Sequence, residues 1–238
     1  MKKFLIRQRQ ENLFSVRIKS VGGNFSAEQL KAIYEVAKNF GDEVHLTARQ
    51  EISIQSIKAE DFAEVERILS ENNLKLSRLG AGLKNITACQ GNKICPPGII
   101  DTIKIARELE NRHGEQNFSH KITIGLSGCK NNCMRVEKNN IGIKGAIKPI
   151  HLKNCDYCGK CKKICPVQAI SFDEKNFTIN REICINCGRC IKVCDKFMQG
   201  EVGFSIYLDG KIFMDFIDSE EKLFEIVAEI LKNSQSLE

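Results

Sequence analysis

No stretch of this 238-residue chain stays apolar long enough to cross a membrane. Its start does not read as a secretory leader either, since Met1-Lys2-Lys3 is followed only by Phe4–Ile6 before charge resumes. These absences lead us to expect a cytoplasmic protein with no membrane partner, in a reducing compartment. Tryptophan is missing, aromatic residues make up 7%, and no basic run is interleaved with aromatics. With no DNA-binding element in view, neither a nucleic-acid partner nor a redox-sensing regulator is expected, despite a formal net charge of +6. Twelve cysteines in a reducing compartment point to metal rather than to disulfides, and none is left over once they are grouped. Hydrophobic content of 42% is ordinary for a globular chain, and the length allows one large domain or two small ones.

The first four cysteines come as two pairs, Cys89 and Cys95 in C-x5-C and Cys129 and Cys133 in C-x3-C. Thiolates supplied in pairs suit an iron–sulfur cluster or a tetrahedral metal. A structural zinc site is the alternative, although these are not the usual zinc-finger spacings. Pro96-Pro97 is expected to open a helix over Gly98–His113, stopped by Gly114, with its free N–H groups and dipole end toward the cluster. Gly128 lets backbone approach whatever Cys129 binds, and Asn131 and Asn132 tolerate tight turns and offer amide donors.

The other eight form a duplication. C-x2-C-x2-C-x3-C occurs at Cys155, Cys158, Cys161 and Cys165, and again at Cys184, Cys187, Cys190 and Cys194. In this bacterial two-cluster spacing the fourth cysteine of each run ligates the other cluster. One set is then Cys155, Cys158, Cys161 and Cys194, the other Cys184, Cys187, Cys190 and Cys165. Pro166 follows the first run as expected, whereas Asp195 stands where a second proline belongs. A pair of zinc knuckles is the poorer alternative. Three clusters carrying about −2 each contribute roughly −6, so much of the lysine and arginine surplus reads as internal charge balance.

Periodicity gives an α+β chain. Phe14–Ser20 alternates as a half-buried strand, Gly22-Gly23 turns, and Ser26 with Gln29 makes a capping box for a helix ended by Gly41. A second strand is expected over Val44–Ile57 and a second helix from Glu60 to about Asn72, together a ferredoxin-like half-domain. Lys121–Gly128 reads as one buried strand. Val202–Tyr207 and Lys211–Phe216 read as strands joined by Asp209-Gly210, with a helix over Ser219–Asn233 after them. His45 is a candidate proton donor, though a lone histidine is more often structural; His113, His120 and His151 carry no argument.

The two cysteine pairs, the upstream L-T-A-R-Q (Leu46–Gln50) and the G-G-x-x-S-x-x-Q-L of Gly22–Leu30 resemble the siroheme-dependent sulfite and nitrite reductases. The resemblance implies that Cys89, Cys95, Cys129 and Cys133 hold a [4Fe–4S] cluster and that Cys133 also bridges to siroheme iron. It implies that Arg49 meets siroheme and the substrate anion, with Thr47, Gln50, Thr87, Asn131 and Asn132 on the cofactor. Lys121 matches the first lysine of the family's K-x-K, but Thr123 occupies the second, and Lys130 replaces the usual proline after Cys129. A different cationic set, including Lys84 or Lys130, is therefore open. The implied architecture is a half-domain over 1–75 and a siroheme and [4Fe–4S] domain over 76–148 and 200–238, with an inserted two-cluster ferredoxin domain over 149–199. The chain resembles the catalytic-subunit type of anaerobic sulfite reductases, carrying siroheme and three [4Fe–4S] clusters. The expected reaction is six-electron reduction of sulfite to sulfide, or of nitrite to ammonia. Electrons are expected from an external low-potential donor, a ferredoxin or a partner redox subunit, by way of the inserted clusters. Larger relatives carry two copies of the repeat; a single copy implies a homo-oligomer in which Arg49 serves a neighbour's siroheme. The competing reading is a three-cluster electron carrier with a degenerate siroheme pocket.

Overall fold

The computed structural model describes residues 3–152, 155–173, 176–194, 196 and 198–234. Asp195, the residue in place of the second proline, and Met1-Lys2 lie outside them. Along the chain run strands β1 (Ile6–Arg7) and β2 (Leu13–Ile18), helix α1 (Ala27–Phe40), and strands β3 (Val44–Leu46) and β4 (Ile52–Lys58). Helix α2 (Phe62–Glu71) and strands β5 (Gly82–Leu83) and β6 (Thr87–Ala88) follow, then helices α3 (Gly91–Ile94) and α4 (Thr102–His113). Next come β7 (Lys121–Ile122), β8 (Ile124–Ser127), β9 (Ile141–His151), α5 (Lys160–Ile164), β10 (Ile170–Asp173) and β11 (Asn176–Ile179). The chain closes with α6 (Arg189–Val193), β12 (Met198–Leu208), β13 (Lys211–Ile217) and α7 (Glu220–Asn233). Among the described residues no helix is long and apolar enough to cross a membrane.

The chain divides into two compact units, the described residues of 1–89, 103–126 and 230–238, and those of 90–102 and 127–229. In the first, an antiparallel sheet ordered β1-β2-β4-β3 carries α1 and α2. Alternation in β2 sends Val16 and Ile18 inward, where they meet Ile52, Ile54 and Ile57 of β4 and the apolar stripes of both helices. Ile18, Ile54 and Ile57 are fully buried, and each such side chain contributes about 1.5–3 kcal/mol through its removal from water. The capping box at α1 forms as expected: Ser26 Oγ accepts from Gln29 N–H at 3.2 Å, and Gln29 Oε1 accepts from Ser26 N–H at 3.0 Å. Gly22 sits at φ +63°, and a β-carbon there would stand 2.5 Å from Ile103 Cδ1, so this turn requires glycine.

Three expectations need correcting. The strand expected over Val44–Ile57 is a hairpin, β3 and β4, because Thr47–Gln50 folds into a turn closed by Gln50 N–H to Thr47 O at 3.0 Å. The strand expected over Lys121–Gly128 breaks at Thr123 into β7 and β8. The helix expected from Gly98 begins at Thr102, since Gly98 and Ile99 are held otherwise, by N–H bonds to Cys95 O at 2.8 Å and Gly128 O at 2.9 Å.

The second unit is built on β9 and β12, which pair antiparallel in unbroken register from Ile141↔Leu208 to His151↔Met198. The intervening chain therefore leaves and re-enters at one end of this ladder. The Asp209-Gly210 turn, with φ of 44° and 88°, returns it as β13, the primed hairpin that the sequence signals. Within the intervening segment, α5 packs on α6 and the β10–β11 hairpin closes a small core around Cys161, Ile170, Cys190 and Met198.

Candidate functional site

In the first unit the chain leaves a cavity of about 730 Å³. Seven cationic side chains line it against three acidic ones, Glu51, Glu66 and Glu115. Arg49, Lys84 and Lys121, all named from sequence, are among the seven, with Arg17, Lys19, Lys75 and Arg78 beside them. Those last four were missed, although the signal existed: residues two apart on a strand share a face, and β2 and its exit place Arg17 and Lys19 that way. Three of the four are held by carboxylates. Lys19 pairs with Glu110 at 2.6 Å, each side chain 12–13% exposed, and Lys75 and Arg78 reach Glu115 at 2.8 and 3.3 Å.

Arg49 is held differently. Its terminal NH2 donates to the Asn85 carbonyl at 2.7 Å, while Asn85 Nδ2 donates to the Arg49 carbonyl at 2.6 Å and Asn85 Oδ1 accepts from Ser20 N–H at 2.9 Å. Asn85, 1% exposed, thus fixes the arginine from both ends of the residue. Arg49 Nε is buried without a hydrogen-bond partner. Burial pushes the guanidinium's pKa down from its ordinary value, with Glu51 opposing. A buried donor of this kind is costly unless something accepts from it, and an anion is the matching acceptor. Glu51, 5% exposed, accepts from the Ser77 hydroxyl.

Strands β5 and β7 pair in parallel, Gly82↔Lys121 and Leu83↔Ile122, and Lys84 N–H continues to Ile122 O at 2.9 Å. This register brings Lys84 level with Thr123, the position where the resembled family has its second lysine. Lys84 Nζ donates to Arg78 O at 2.9 Å. Burial, then repulsion from Lys121, lowers its pKa from the ordinary lysine value.

Thr47 and Gln50 shape the turn that presents Arg49. Thr47 Oγ1 accepts from Glu51 N–H at 3.1 Å. Gln50, at φ +62°, pairs its carboxamide reciprocally with Ala88, Nε2 to O and N–H to Oε1, both 2.9 Å. A left-handed non-glycine residue costs about 1–2 kcal/mol, which two hydrogen bonds offset. Thr87, 4% exposed, donates to Ile124 O at 3.4 Å. His45 is exposed on β3 opposite Ser53.

Cys89 follows β6 in the first unit, half-buried, its N–H on Leu126 O at 3.1 Å. Cys95, Cys129 and Cys133 belong to the second unit and are half-buried, buried and exposed. There the Ile99–Gly128 bond ties the loop after Cys95 to the one before Cys129, and Gly145 lies so close that a β-carbon would meet Gly128 O at 2.6 Å. Asn132 takes φ +52° as expected, but its side chain serves the local turn, accepting from Val136 N–H at 3.0 Å and donating to Glu137 at 2.6 Å. Asn131 is exposed, and Lys130 is half-buried in this second unit.

In the duplicated segment, Cys165, Cys184, Cys187 and Cys190 line one cavity of about 20 Å³. Burial raises the Cys190 thiol to about 11, and Cys187 and Cys184 add to the rise. Burial also raises Cys161, with Cys194 and Cys155 adding to it. Each buried thiol thus senses members of the set that the exchange of fourth cysteines assigns to it. Gathered thiols hold their protons until a metal replaces them. Among the described residues no three His, Cys, Asp or Glu side chains converge on one ion; a cubane binds each thiolate at a different iron and does not require that convergence.

A model described as the nitrite/sulfite reductase ferredoxin-like half domain matches residues 6–72, and one described as the nitrite and sulphite reductase 4Fe-4S domain matches residues 79–232. The chain is 29% identical over 230 residues to a coenzyme F420-dependent sulfite reductase of Methanocaldococcus jannaschii, covering 95% of this chain and 37% of that one. To a subunit of the anaerobic sulfite reductase of Salmonella typhimurium it is 32% identical over 182 residues, covering 70% of this chain and 53% of the relative. It thus spans about a third to a half of the length of these two relatives. Its fold matches the crystal structure of dissimilatory sulfite reductase I with a TM-score of 0.73 at 18% identity, over 94% of this chain and 63% of that one. The chain belongs to the nitrite and sulfite reductase family.

Proposed function

We propose that this protein reduces a small oxyanion by six electrons, sulfite to sulfide in preference to nitrite to ammonia, with siroheme held in the cavity of the first unit. The observation that carries the reading is the buried, unpartnered Nε of Arg49 in a cavity lined by seven cations. The family uses siroheme and a 4Fe-4S cluster. The donors present fit a polycarboxylate tetrapyrrole, since cations outnumber acids and the volume, about 730 Å³, is large enough for a cofactor of that class. When bound, the tetrapyrrole would supply a redox-active iron for the anion, and the clusters would supply electrons singly.

The chain's own residues do the rest. Arg49 donates through its fork to the anion, and Asn85 keeps the fork oriented. Lys121 and Lys84 add charge from neighbouring strands, Lys84 standing level with Thr123 in place of the missing second lysine. Its lowered pKa makes its ammonium the readier proton donor as oxygens leave as water. Cys89, Cys95, Cys129 and Cys133 would hold one [4Fe–4S] cluster, with Cys133 also a ligand for the tetrapyrrole iron, and the two sets in the duplicated segment would hold two more. An inserted domain is supported by the β9–β12 ladder, whose pairing ends at His151↔Met198, just inside the proposed bounds 149–199. A homo-oligomer, in which this cavity and its Arg49 would receive a neighbouring copy's siroheme, is part of the proposal, along with a cytoplasmic setting and a low-potential donor.

Anaerobically purified holoprotein tests this: extractable siroheme, iron for three clusters, and viologen-driven reduction of sulfite and of nitrite are expected. Full iron without a tetrapyrrole overturns the enzyme reading in favour of a three-cluster carrier. An active monomer on gel filtration overturns the shared site.

A further inference from the structure

The duplicated cysteine segment of the second unit gathers exposed cations on and beside its two helices. Lys160, Lys162 and Lys163 on or at α5 are all exposed, as are Arg189 and Lys192 on α6 and Lys196 just beyond it. By sequence, residues 155–196 carry eight basic residues against five acidic ones, Asp156, Asp173, Glu174, Glu182 and Asp195. None of the six makes an ion pair among the described residues. Unlike Lys19, Lys75 and Arg78 of the first unit, they are fastened by no carboxylate among the described residues and are exposed. Two exposed apolar side chains end the same helices, Ile164 at 40% and Val193 at 39% exposure, each next to a cysteine, Cys165 and Cys194. Helices α5 and α6 pack on each other, so these groups share one region. Buried Cys161 lies between Lys160 and Lys162, and buried Cys190 follows Arg189.

A cationic rim around a few apolar groups is the make-up of a surface that steers and briefly seats an acidic protein. Electron tunnelling falls off steeply with distance, so such a surface is useful where cluster cysteines lie one residue beneath it. We infer that the α5–α6 face is the docking surface for a net-acidic, one-electron iron–sulfur carrier protein, which in its reduced form passes one electron to a cluster of this segment. The carrier is oxidised by one electron, the cluster gains it, and no bond or proton is exchanged. This rests on the proposed two clusters of the segment. Few seated groups and many charges mean a weak, fast and salt-sensitive complex rather than a permanent one.

The test uses holoprotein and an acidic bacterial ferredoxin, with binding measured by calorimetry across a salt series and turnover measured with ferredoxin or with reduced methyl viologen. Lys163→Glu/Lys192→Glu, one reversal on each helix, should weaken ferredoxin binding about tenfold or more at low salt and flatten its salt dependence. It should raise the KM for ferredoxin while leaving viologen-driven kcat and iron content unchanged. Lys31→Glu/Lys38→Glu, the same charge change on exposed positions of α1, is the control and should leave affinity within about twofold. Should the reversals disturb cluster loading, the Lys→Ala pair and the salt series of the unaltered protein decide instead. Equal weakening by both double variants, or binding indifferent to salt, overturns the docking surface. Missing segment iron in the unaltered protein overturns the two-cluster reading on which it rests, a failure distinct from full iron with unaltered affinity.

Discussion

In the first unit, positive side chains surround a cavity and most are fastened: Lys19 to Glu110, Lys75 and Arg78 to Glu115, Lys84 to a carbonyl, Arg49 to Asn85. In the duplicated segment of the second unit, they stand on two five-residue helices and face water. The difference teaches what kind of anion each region suits. A small ion must be met by donors already oriented, because little contact area is available to order them. A large acidic partner tolerates mobile lysines, since its affinity comes from summed long-range attraction.

The sharpest way to break this contrast is Arg49→Met. It should lower kcat/KM for the oxyanion by about 100- to 1000-fold, as loss of one oriented donor does, with iron content and ferredoxin affinity unchanged. A comparable fall in ferredoxin affinity would erase the distinction between the two regions. Next in size is Lys19→Met, which strands the largely buried Glu110, whose Oε2 already lacks a partner. A loss of about 3 kcal/mol in urea unfolding is expected. Asn85→Ala should cost about 1–3 kcal/mol and raise the KM for the anion, since Arg49 loses the groups that aim it. No change in KM would mean that the guanidinium aims itself.

The smallest effect sharpens the contrast through pH. His113 is 6% exposed, and burial lowers its pKa from the ordinary value, with a side-chain hydrogen bond to Gln116 opposing. The folded protein therefore binds this proton less readily than the unfolded chain. The contribution is complete above about pH 6.5 and is lost as pH falls below it. His113→Leu should flatten that acid limb of stability in thermal melts while leaving the salt dependence of ferredoxin binding untouched.

Much of this was legible in residue order. Cysteine spacing proposed two sets; members of one, Cys165, Cys184, Cys187 and Cys190, line one cavity, and in the other Cys194 and Cys155 add to the rise at Cys161. The capping box at Ser26 and the Asp209-Gly210 hairpin are likewise short-range signals and formed as expected. What sequence hid is non-local or sits at breaks in a periodic run. Val44–Ile57 looked like one strand because the apolar pattern survives across the turn, whereas the Gln50–Ala88 pairing that fixes the turn joins distant segments. Asn85 reads as an ordinary polar residue until its partners, Ser20 and Arg49, fold beside it. Pro96-Pro97 promised a helix start, but Gly98 and Ile99 bond to Cys95 and Gly128 instead, and α4 waits until Thr102.

The carboxamide of Gln50 has one more implication. It grips Ala88, so the residue following Arg49 and the residue preceding Cys89 are clasped by a single side chain. On the proposed function, a shift of residue 88 on loading Cys89 with iron would reach Arg49 through this clasp, so that iron content and oxyanion affinity would fall together.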